Sequence, residues 1–62
     1  MDCNCVAFIV ELDDRTTHRI EVESRYLLAG DHDARLIAMK WQADRRIPAR
    51  GIVSLRRARS DE

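Results

Sequence analysis

Four side chains in this sequence carry the soft donor atoms of metal or thiol chemistry: Cys3, Cys5, His18 and His32. Four such ligands are enough for a tetrahedral zinc ion, but their spacing does not suit one. Cys3 and Cys5 enclose a single residue, short of the gap a zinc knuckle uses, and the histidines stand far apart on separate elements. On extended chain the two thiols would point to the same side, and a bridge between them would close a very tight ring that cross-links almost nothing. They are read as incidental, and no metal site is expected.

His32 lies between Asp31 and Asp33, an arrangement that could serve acid–base chemistry beside a nucleophile or a cofactor. The sequence has no Gly-rich phosphate loop, no H-E-x-x-H and no nucleophile elbow to complete such a site. Capping of a helix explains Asp31 more economically. The chain is therefore read as non-enzymatic, with no cofactor.

The arginines are the most distinctive binding groups. Arg45, Arg46, Arg50, Arg56, Arg57 and Arg59 fall in one stretch that contains no acid. The formal net charge is 0, yet residues 1–33 hold eight acids against three bases, a net of −5, and residues 34–62 hold the reverse, +5. Such a split favours a basic binding face or complementary association. Guanidinium groups are permanent, planar donors that suit carboxylates and phosphates alike. Aromatic residues are not interleaved with the final arginines, so a stacking platform for single-stranded nucleic acid is missing, and no helix-turn-helix pair is evident.

The elements that must position these groups have to fit into 62 residues. A domain of this size buries only about 60% of its unfolded surface and is marginal alone. Hydrophobic residues make up 45% and charged residues 35%, which fits a folded domain rather than a disordered tail. One small domain over residues 1–62 is expected, with no membrane span. The acidic start, Met1-Asp2-Cys3, is unlike a signal peptide and points to a cytoplasmic setting.

Residues 6–12 alternate as a strand, with Val6, Phe8, Val10 and Leu12 on one face. Asp13-Asp14-Arg15-Thr16 reads as a hairpin loop, and residues 17–23 as a second strand with His18, Ile20 and Val22 inward. Tyr26 and Leu28 are expected to seal one end of the core. A helix is predicted from His32 to about Arg45, capped by Asp31, with Ala34, Ile37, Ala38 and Trp41 as its buried stripe. Pro48 stops it. A third strand is predicted over residues 50–57, with Gly51, Val53 and Leu55 on one face and Ile52, Ser54 and Arg56 on the other.

A right-handed crossover from strand two makes strand three its parallel companion. Placing strand three beside strand one gives a small α+β domain of ββαβ order, an antiparallel sheet in order 2-1-3 with one helix on one face. The other face would expose Ile9 and Ile52, and with the uncapped sheet edges this suggests a homodimer. The expected function is a protein-interaction module (a small adaptor, inhibitor or accessory regulator). Its recognition surface for an acidic partner is Arg45, Arg46, Arg50, Arg56, Arg57 and Arg59. Nucleic acid, bound through its phosphates by the same arginines, is the competing reading.

Overall fold

The most apolar segment of the chain lies in the middle of the sheet, where both of its edges are paired. The computed structural model describes residues 4–62; the readings placed on Met1, Asp2 and Cys3 lie outside them. Strand β1 spans Cys5–Leu12, β2 spans Thr17–Glu23 and β3 spans Ile52–Arg57. They form one antiparallel sheet in the order β2-β1-β3. Helix α1, Ala34–Ala43, packs on one face, and short 3₁₀ turns cover Ser24–Tyr26 and Asp31–Asp33. Among the described residues no helix is long and apolar enough to cross a membrane.

The core is built from alternate residues of β1. Phe8, Val10 and Leu12 are fully buried, and so are Ile20 and Val22 of β2, with Ala34 and Ala38 of α1 above them. The two alanines let the helix backbone come close to the sheet. Ile37 and Trp41 complete the predicted stripe at partial burial, and Ile47, just past the helix, closes the core.

The hairpin between β1 and β2 solves its turn without Asn-Gly. Leu12 N–H donates to Thr16 O at 3.0 Å and Arg15 N–H to Leu12 O at 2.9 Å, which leaves a three-residue loop. Arg15 takes the left-handed conformation, φ 67°, that such a loop needs at its last position. The Asp14 carboxylate accepts from both the N–H and the hydroxyl of Thr16, fixing the turn from within.

Three expectations need correction. First, Leu27 rather than Leu28 packs on the core; Leu28 is 90% exposed and Tyr26 is largely exposed. The 3₁₀ turn at Ser24–Tyr26 breaks the period of two, so an alternation carried past Glu23 falls out of phase. Second, Asp31 does not cap the helix. The first turn is 3₁₀ and follows Gly30, whose φ is 122°, while Asp33 reaches back to accept from Ala29 N–H at 3.0 Å. Asp31 is thereby free for another partner.

Third, β3 begins at Ile52 rather than Arg50, and its faces are assigned differently. Glu11 pairs with Ser54, but Leu12 pairs with Ile52, so Val53 is an extra residue in a bulge. The bulge turns Ile52 toward the core, beside Leu55, and leaves Val53 63% exposed. The opposite sheet face therefore does not present Ile52. Nor does it present much of Ile9, which is only 9% exposed. The cross-strand neighbours of Ile9 are Arg19 and Arg56, and long arginine stems cover apolar surface in this way.

The bulge makes a direct prediction. Ile52→Ala should lower unfolding stability by about 1–2 kcal/mol, as a partly buried truncation, and Val53→Ala by no more than about 0.5 kcal/mol. Denaturant titration of both variants checks this; the opposite ranking would mean that the strand runs unbulged.

Candidate protein-interaction surface

The six arginines singled out in the sequence fall into two groups at opposite ends of β3. Arg45, Arg46 and Arg50 belong to the helix exit and the loop that enters the strand, whereas Arg56, Arg57 and Arg59 belong to its far end. At ~3.3 Å per residue, the strand alone separates the groups by roughly 15–20 Å. They do not make one continuous patch.

Local structure explains where the first group points. Helix α1 ends in a Schellman arrangement: Arg46 N–H donates to Trp41 O at 2.9 Å and Arg45 N–H to Gln42 O at 3.0 Å. Arg45 supplies the left-handed residue, φ 61°, where glycine is more usual. This motif brings the residue after it back over the last helical turn, and Arg46 accordingly stacks on the Trp41 ring at 4.2 Å. Trp41 thus serves the core on one side and a guanidinium on the other. Neither Arg45 nor Arg46 has a carboxylate partner among the described residues.

The remaining arginines are largely spoken for. Arg50 Nε lies 2.6 Å from Asp13 Oδ1 and 3.5 Å from Asp14 Oδ2. Arg57 grips Asp31 with two bonds of 2.8 and 2.9 Å. Arg56 does the same with Glu62, at 2.6 and 2.7 Å. Hydrogen bonding to these carboxylates raises the pKa of all three guanidinium groups and lowers that of Asp31. Arg59 donates its backbone N–H, rather than its side chain, to Glu62 Oε1. Two of these links, Arg50 to the hairpin loop and Arg57 to Asp31, join the acidic half of the chain to the basic half. All are solvent-exposed, where ion pairs are weak individually.

Between the two groups runs the free edge of β3. Ala58 N–H donates to Ala7 O at 2.9 Å, so alternate residues Arg56 and Ser54 also face β1. Leu55 and Arg57 consequently turn their backbone N–H and C=O away from the sheet, where the Arg57 carbonyl accepts a long bond of 3.4 Å from Arg56 Nη1. A groove of about 360 Å³ follows this edge, with Ile52, Val53 and Leu55 on the strand side and Asp31, His32 and Arg35 on the helix side. Arg35 has no ion pair among the described residues, and sequence inspection did not single it out. Its position just off the buried stripe, on the flank facing β3, was the available signal.

Among the described residues, the possible metal ligands Cys5, His18 and His32 lie on separate elements. Cys5 opens β1, His18 Nε2 meets Thr16 Oγ1 at 3.0 Å, and His32 is exposed beside Asp33. Among the described residues, no group of three His, Cys, Asp or Glu side chains could hold a metal ion. No protein-family model matches the chain, and no curated protein or solved structure shows significant similarity to it.

The Arg56–Glu62 contact carries a measurable signature. Arg56 side-chain bonds, followed by the Arg59 N–H, hold the Glu62 carboxyl at about 2 against an ordinary 4.5. A depressed carboxylate contributes in full above its ordinary value, and that contribution is lost as pH falls through the depressed one. Carboxyl NMR should therefore place the Glu62 midpoint near 2, and Arg56→Gln should return it toward 4.5. An unchanged midpoint in the variant would mean that the contact does not hold the tail.

Proposed function

We propose that this chain is a non-enzymatic protein-interaction module that receives an acidic, extended segment of a partner protein along β3. The observation that carries the reading is the free edge of that strand, with outward backbone groups at Leu55 and Arg57 and an apolar groove overlooked by Arg35. A segment added there gains main-chain hydrogen bonds from the edge and specificity from the groove. Arg56, Arg57 and Arg59 lie at one end of this track, and Arg45, Arg46 and Arg50 at the other. Acidic residues at both ends of the bound segment would meet guanidinium groups. Self-association as a homodimer is part of the same reading.

The same geometry favours protein over nucleic acid. A polyphosphate backbone is best met by a continuous run of uncompensated charge. Here the arginines are split into two groups, and Arg50, Arg56 and Arg57 already hold carboxylates. Those pairs can exchange for the carboxylates of a partner, one ligand replacing another of the same chemistry.

Affinity capture from native cell extract, with and without nuclease, tests the proposal. The wild type should retain a stoichiometric protein that survives nuclease treatment. Joint replacement of Arg56, Arg57 and Arg59 by alanine should abolish that retention, and replacement of Arg45, Arg46 and Arg50 should weaken it. Recovery of nucleic acid alone, with a steep loss on added salt, would reverse the assignment.

A further inference from the structure

The second free edge of the sheet has a different character. Ser24 N–H donates to Asn4 O at 2.7 Å and Leu12 N–H to Thr16 O at 3.0 Å, so the even-numbered residues of β2 are those bonded to β1. Thr17, Arg19, Glu21 and Glu23 therefore present their N–H and C=O groups outward. Among the described residues no hydrogen bond outside the sheet engages those of Thr17, Arg19 and Glu21, while Glu23 leads into the 3₁₀ turn. Arg19 and Glu21 share the sheet face away from the helix, their side chains 3.0 Å apart.

We infer that β2 pairs antiparallel with β2 of a second copy of this chain, about a two-fold axis at Ile20, making a continuous six-stranded sheet. The inference rests on the homodimer reading above and specifies its interface. The register follows from charge. With the axis at Ile20, Arg19 of each copy stands opposite Glu21 of the other, and Thr17 stands opposite Glu23. Moving the axis by one residue sets Arg19 against Arg19 or Glu21 against Glu21, both like-charge contacts across a strand pair. Of these three registers, the Ile20-centred one alone sets opposite charges against each other within β2, as a self-complementary isologous contact requires.

The helix side of the edge agrees. There the register sets Ile20 opposite its own counterpart and His18 opposite Val22. The flank of α1 above β2 offers Ile37 and Trp41, both partly buried, with Lys40 and Asp44 of opposite sign beside them. A surface that mixes signs and apolar area does not repel its own copy. The β3 edge offers no such match: Arg57 already holds Asp31 there and Arg56 holds Glu62, which leaves Arg35 as the groove-lining guanidinium with no ion pair among the described residues.

Sedimentation of charge variants tests the interface. The wild type should be a dimer at high micromolar concentration, whereas Arg19→Glu and Glu21→Arg should each be monomeric while keeping the wild-type circular dichroism. Mixed in equal amounts, the two variants should form a dimer again, because position 19 of each then faces the opposite charge at position 21 of the other. A second measurement needs no variant. In a mixture of isotope-labelled and unlabelled wild type, an intermolecular NOE should connect the His18 and Val22 α-protons, which lie too far apart within one strand. A wild-type dimer that survives both single changes and lacks this NOE would overturn the interface and leave self-association standing. A wild type that stays monomeric would overturn both.

Discussion

A single helix over three strands can cover only one sheet face, and the rest of this molecule follows from that constraint. The core must lie between α1 and the alternate side chains Phe8, Val10 and Leu12 of β1, with Ile20 and Val22 beside them. β1 is central because it is the strand with most to bury. Its opposite face is closed without a second layer, by the flanking arginines of β2 and β3 over Ile9. What the arrangement leaves uncovered is two edges, and edges are where backbone groups seek partners.

The separation of charge between the two halves of the chain has a structural use before any functional one. Asp13 and Asp14 in the hairpin loop hold Arg50 at the entrance to β3, and Asp31 holds Arg57 at its end. The last strand is thus registered at both ends by acids from the first half. These exposed pairs contribute little stability singly. They choose the place at which β3 docks, and the apolar contacts of Ile52 and Leu55 then hold it there.

The hairpin, the helix stripe and the sheet order were legible because each rests on periodicity or chain connectivity. The alternation in residues 6–23 and the Ala34, Ile37, Ala38, Trp41 spacing carry through into the structure. What escaped was phase. One extra residue at Val53 exchanges the faces of Ile52 and Val53, and a 3₁₀ turn exchanges Leu27 for Leu28. Neither has a sequence mark such as Asn-Gly. The arginine cluster was visible as composition. Its division into two groups was not, because β3 separates residues that are near in sequence. The self-complementarity of the β2 edge needed the register, which shows which backbone groups face outward.

The account assigns the two edges opposite roles: β2 for a second copy and β3 for an acidic segment of a different protein. The most direct measurement is residue-resolved amide hydrogen exchange on the protein alone, at low and high concentration. The amides of Arg19 and Glu21 should slow markedly as concentration rises, while those of Leu55 and Arg57 stay fast at both. Equal, concentration-independent exchange on both edges, or slowing at Leu55 and Arg57 in place of Arg19 and Glu21, would contradict the account.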